Sequence, residues 1–280
     1  MKLWHLVTNH FRMPLHRSGD ASFCAGGRFM RKRTEIAATE GSVRSYLRSH
    51  LGIHVRGDPR DAINKLRVSA AEGNAEAQDM LGYMYRWGIF VKRDLREAWR
   101  LLLVAAENGF PPAEFSVGVC LSHGEGVKRD KRSALRWYRR AGRDGVAEAA
   151  YNAGYFYQNG IGIAKNEAVA KRWYRLAAVL GDTQALVNLG NLYFNLASSH
   201  RLRNHYLHKS TEFYRRAARA KNADGMYNLG LAYYEGLGTK LDMRVAIRHL
   251  TEASEHGHRS AAKVLREIRK NLAKSAKRKF

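Results

Sequence analysis

The sequence predicts an all-α fold: a right-handed superhelical solenoid of antiparallel helix pairs with a 36-residue period. Three columns of small residues carry that expectation. Gly82, Gly118, Gly154, Gly190 and Gly230 stand 36, 36, 36 and 40 residues apart. Gly73, Gly109, Gly145, Gly181, Lys221 and Gly257 keep the same rhythm, as do Ala62, Ala98, Ala134, Ala170, Ser210 and Ala246. Columns that share one interval, and also one four-residue slip, mark an internal repeat.

Each unit reads as two helices. Ala77, Leu81, Met84 and Tyr85 follow the i, i+4, i+7, i+8 spacing of an apolar helical stripe. Trp87-Gly88 breaks that helix, Val91 supplies an apolar plug, and Asp94 is placed to cap the next helix. The second helix gathers Ala98, Leu101, Leu102, Ala105 and Ala106 on one side, and Gly109 ends it. One such pair cannot bury its apolar face alone, whereas stacked pairs can.

The unit resembles the Sel-1-like repeat, a relative of the tetratricopeptide repeat. The copy from Ala113 reads AEFSVGVCLSHGEGVKRDKRSALRWYRRAGRDG, and that from Ala149 reads AAYNAGYFYQNGIGIAKNEAVAKRWYRLAAVLG. The family's pattern of an LG pair, a Tyr, a GxGV turn, an Asp, a WYxxAA segment and a Gly is visible in register, and the resemblance spans roughly residues 59–258. It implies a protein-binding adaptor. Some secreted relatives carry a cysteine pair in each unit; with two cysteines in the chain, what goes with those pairs does not transfer.

Three regions follow. Residues 1–39 form a basic targeting or disordered segment, residues 40–258 the solenoid, and residues 259–280 a capping helix with a basic tail. The first solenoid unit is degenerate, with Gly52 and Asp58 in register with Gly88 and Asp94. The fourth has lost its GxG turn and gained four residues, NLASSHRLRNHYLHKS, read as an enlarged loop after Asn195.

Charge narrows the partners. The 280 residues hold 49 Lys+Arg against 25 Asp+Glu, a formal net charge of +24. Residues 259–280 carry nine of those cations and one acid, so they supply a third of the net charge from under a tenth of the length. Such an excess favours polyanions. Two cysteines exclude a disulfide-stapled scaffold, and no apolar run reaches the roughly 20 residues of a membrane-spanning helix.

No catalytic constellation, cofactor or metal is expected. The GxG turns lie between helices without a preceding strand, so they are not phosphate loops. Asp94, Asp130 and Asp242 read as helix caps, and Cys120 as a small buried hydrophobe. Cys24 falls in the N-terminal segment. His200, His205 and His208 read as solvated loop residues rather than metal ligands, and His256 and His258 flank Gly257. Trp137, Trp173 and Phe213, with Tyr138, Tyr174 and Tyr214, straddle the alanine face and are expected in the core rather than as base-stacking platforms.

The arginines fall elsewhere. Arg100, Arg136, Arg172 and Arg248 form one column, broken by Glu212, and Arg96, Arg132 and Arg244 another one turn earlier. Both lie near 160–200° from Ala98 at about 100° per residue, opposite the buried face. Arg139, Arg175 and Arg215 flank them. With Lys270, Lys274, Lys277, Arg278 and Lys279 of the tail, the two columns are the candidate phosphate-binding residues.

The first 33 residues carry seven Lys or Arg and a single acid, Asp20, and Leu3, Trp4, Leu6, Val7, Phe11 and Leu15 fit one side of a short helix. That is the signature of a mitochondrial transit peptide; a cytoplasmic or nuclear basic arm is the rival. The resulting expectation is a non-enzymatic scaffold of a mitochondrial ribonucleoprotein, a mitoribosome component or assembly factor in the matrix, with protein partners and RNA. The alternative is a purely protein-binding adaptor.

Overall fold

The structure is a computed structural model that describes residues 33–55, 58–197 and 202–277. Among them lie thirteen α-helices and no strand. They are α1 (Arg33–Leu51), α2 (Arg60–Ala71), α3 (Ala75–Trp87), α4 (Leu95–Glu107), α5 (Pro111–His123), α6 (Lys131–Arg143) and α7 (Ala147–Asn159). After these come α8 (Glu167–Val179), α9 (Thr183–Ala197), α10 (Arg203–Arg219), α11 (Ala223–Glu235), α12 (Met243–Glu255) and α13 (Arg259–Lys277). The chain forms two compact units that part inside α8, between Ala170 and Lys171. Within each, a helix packs chiefly on its sequence neighbours, as a helix-pair solenoid requires.

Short side chains let the paired helices approach. Gly118 of α5 faces the fully buried ring of Tyr138 on α6, where a Cβ would lie 2.7 Å from two ring carbons. Gly82 meets Leu102 in the same way, Gly190 meets Tyr214 and Gly230 meets Leu250. The alanine column is as closely packed: Ala98, Ala134, Ala170 and Ala246 are buried, with Ser210 in the fifth place.

The helix ends follow from their residues. Asp94, Asp130 and Asp242 cap α4, α6 and α12, each accepting two backbone N–H bonds of the first turn. Gly88, Gly124, Gly160 and Gly236 end the first helices in the left-handed region. The plug after the first break is Ile89 rather than Val91: Ile89 is buried and bonds back to the Met84 carbonyl, while Val91 is half-buried.

The outermost described helices pack on their neighbours through apolar residues. Val43 and Leu47 of α1 join the core with Ile63 and Leu66 of α2. Ala261, Leu265 and Ile268 of α13 cover the last pair, and that helix runs on to Lys277. The fourth pair departs from expectation. Its added residues lengthen helix: α9 has 15 residues and α10 has 17, against 13 in each helix of the pair before the slip, α7 and α8. His205 and His208 therefore stand exposed on α10 rather than in a loop, while residues 1–32, with Cys24, and His200 lie outside the described residues.

Candidate functional site

The second helix of each pair buries one face and leaves the opposite one in water, and that division places the arginines. Arg96 and Arg100 of α4, Arg132 and Arg136 of α6, Arg172 of α8, and Arg244 and Arg248 of α12 are all exposed. Lys270 is exposed on α13; Lys274 and Lys277 lie on the same helix, and Arg278 and Lys279 fall outside the described residues.

These cations are not equivalent. Arg100 makes a two-pronged bond to Glu97 at 2.9 and 2.6 Å, which offsets its charge within one helical turn. Arg248 lies 4.0 Å from Glu252. Arg136 instead donates to the neutral Ser133 hydroxyl at 2.8 Å. Helix α6 is where positive charge concentrates: Lys131, Arg132, Arg136, Arg139, Arg140 and Arg143 share 13 residues with no acid. Four of its arginines, with Asp144, line a shallow pocket of about 360 Å³. The column pattern located Arg132 and Arg136 but gave no weight to Arg140 and Arg143, which stand outside the repeat's basic columns.

Arg140 has a second duty. Its Nε lies 2.7 Å from Glu114, whose side chain is fully buried on α5. Burial pushes the Glu114 carboxyl above the ordinary carboxylate range, and Arg140 opposes that rise. The same guanidinium lies over the Trp137 ring, 5.6 Å from its centroid. Trp137, Trp173 and Phe213 are half-buried, which corrects their assignment to the core. Tyr138, Tyr174 and Tyr214 are the buried rings of that pair of columns. A tryptophan about 60° off the alanine face reaches the edge of the contact, where Arg140, and Arg216 over Phe213, cover it.

Two acids of α3 sit in contrasting surroundings. Glu76 of α3 accepts a 2.6 Å bond from the Tyr46 hydroxyl. Nearby Asp79 is pushed up to about 7, first by burial and then by the Glu76 charge, with Ser116 pulling it down. Cys120 is buried. No group of three or more His, Cys, Asp or Glu suited to a metal occurs among the described residues, and none of their helices is long and apolar enough to cross a membrane.

Comparison with known proteins fits this repeat architecture. The family described as Sel1 repeat matches residues 75–110, 111–146, 147–182, 183–222 and 223–258. A crystal structure of a Sel1 repeat protein from Oxalobacter formigenes is 27% identical, with a TM-score of 0.69 over 82% of this chain and 86% of that one. The structure of c5321, a protective antigen of uropathogenic Escherichia coli with an SLR fold, is 28% identical with a TM-score of 0.54. That alignment covers 85% of this chain and 58% of the antigen. No curated protein matches the sequence.

Proposed function

The chain belongs to the Sel1 repeat family, and from that premise we propose a non-enzymatic scaffold of a mitochondrial ribonucleoprotein, such as the mitoribosome or an assembly intermediate of it. Its repeats hold protein partners, and α6 together with the basic C-terminal helix contacts RNA phosphates. One observation carries the nucleic-acid part: six cations and no acid on α6, with Arg132 and Arg136 exposed and neither bound to a carboxylate among the described residues. The acid-poor first 33 residues supply the matrix address.

Phosphate contact releases counterions, at a log–log salt slope of about −0.7 per contact on a single strand. Replacing Arg132, Arg136, Arg139 and Arg143 by Gln flattens the slope by roughly three if each meets a phosphate, with sequence preference unchanged because phosphates carry no base identity. Arg100→Gln and Arg248→Gln change it less, since Glu97 and Glu252 already offset those charges. Sedimentation before and after nuclease places the protein with large particles only while RNA is intact, and residues 1–33 carry a reporter into mitochondria. An unaltered slope and nuclease-resistant co-sedimentation leave the protein-only adaptor as the account.

A further inference from the structure

The turn between paired helices uses a second glycine in three repeats and a phenylalanine in the first. Gly126, Gly162 and Gly238 hold φ of +72°, +68° and +68°. Each is pressed against the start of the second helix of the preceding pair. A Cβ on Gly126 would overlap the Leu95 carbonyl oxygen and one on Gly238 that of Leu207, while one on Gly162 would come within 3.0 Å of the Arg132 nitrogen. Phe90 occupies the same register with φ +58°, a left-handed conformation that strains a side-chain-bearing residue.

A benzyl group cannot enter the gap that admits only a hydrogen atom, so the first turn stands off α2. The space between them is a cavity of about 550 Å³, within the roughly 300–1,000 Å³ of small-molecule sites. Ile63, Phe90 and Val91 give it an apolar wall, and Arg67, Lys92 and Arg93 give it charge. Arg67 is held by neutral groups, donating to the Tyr85 hydroxyl at 3.2 Å and the Asn64 amide oxygen at 3.4 Å. Arg93 donates to the Arg86 carbonyl at 3.1 Å. Among the described residues no carboxylate pairs with Arg67, Lys92 or Arg93. The acids at hand are engaged: Asp94 caps α4 and Asp58 binds Arg60.

We infer that this cavity binds a nucleoside monophosphate, with Arg67, Lys92 and Arg93 on the phosphate and the Ile63–Phe90–Val91 wall against the base. Three cations lining one cavity without carboxylate partners among the described residues match a dianion. The apolar wall separates a nucleotide from bare phosphate. Either a free nucleotide or the 5′-phosphorylated end of an RNA supplies this chemistry.

The test is calorimetric titration of the full chain with adenosine 5′-monophosphate, repeated with inorganic phosphate and with RNA heptamers bearing a 5′-phosphate or a 5′-hydroxyl. The Arg67→Gln/Arg93→Gln pair is expected to weaken AMP binding about tenfold or more, the scale of one lost charge-assisted bond. Phe90→Gly lets the turn close and abolishes binding, with helicity intact and thermal stability unchanged or raised. Lys128→Gln/Lys240→Gln removes two exposed charges elsewhere and leaves binding unchanged. A heptamer that needs its 5′-phosphate and displaces AMP identifies an RNA end as the source; AMP binding that neither heptamer displaces identifies the free nucleotide. Absent AMP binding at millimolar concentration, inorganic phosphate binding as tightly as AMP, or equal losses in both double variants overturns the assignment. None of these outcomes depends on α6, so the cavity and the RNA surface fail separately.

Discussion

Helices α5 and α6 are partners in one repeat, equal in length and opposite in charge. The first reads PPAEFSVGVCLSH, with one acid and no Lys or Arg; the second reads KRSALRWYRRAGR, with six cations and no acid. Seven of the 13 residues of α5 are buried, so it has packing neighbours on more than one face, whereas the buried residues of α6 form one narrow stripe. The charge goes where solvation is free. Glu114 and Asp79, two buried acids on first helices, bear the cost of burial as a raised pKa.

Breaking the contact the two helices share gives the largest effect. Tyr138→Ala removes a fully buried ring seated on Gly118 and should cost about 3–5 kcal/mol in chemical denaturation. Gly118→Ala forces the same ring aside from the other helix and should cost about 1–3 kcal/mol.

Next comes the ion pair that crosses from α6 to α5. Arg140→Gln leaves the Glu114 carboxylate buried without its cation, a loss of about 1–3 kcal/mol at pH 7. The Glu114 carboxyl titrates above its unfolded value, so its ionisation lowers stability as pH rises through the folded pKa. Without Arg140 that pKa climbs further, and the variant should approach wild-type stability near pH 4. A pH series of urea melts with a constant gap between the two proteins would refute this. The same sign holds at α3: Asp79→Asn should flatten the fall in stability between about pH 4 and pH 7, because the folded carboxyl titrates at about 7.

Asp130→Ala removes the two N–H bonds that start α6 and should lower the midpoint of a thermal melt, by less than Arg140→Gln does. The smallest change belongs to the exposed side of the same helix. Arg132→Gln with Arg136→Gln should each stay within about 0.5 kcal/mol of wild type in a thermal melt. A larger loss would make these arginines structural and weaken their assignment to RNA.

The helix pairs were legible because a repeat multiplies weak signals: one glycine says little, and Gly82, Gly118, Gly154, Gly190 and Gly230 in register say much. The caps at Asp94, Asp130 and Asp242 were legible for the same reason. What is local to one unit was not. The insertion after Asn195 loses its turn glycines, which reads as loop, yet its residues extend α9 and α10 while Ser210, Tyr214 and Ala217 keep their buried register. Helical angle alone put Trp137 inside, because a wheel carries no information about where the neighbouring helix stops. The cavity beside Phe90 depends on what a turn glycine touches in another helix, and a single sequence does not display that contact. The concentration of cations on α6 was visible in the letters; the pairing of Arg100 with Glu97 and the bond of Arg136 to Ser133 needed side-chain positions.

Packing confined largely to sequence neighbours also fixes how the chain yields to force. A load applied along the described residues meets no strand ladder among them and little that clamps distant parts of the sequence together. Each pair detaches once its neighbour is gone, so extension proceeds in small steps, each releasing roughly 12–13 nm of chain for a 36-residue unit at about 3.5 Å per residue. A scaffold of this kind stretches and recovers in increments, and each increment has the length of the repeat.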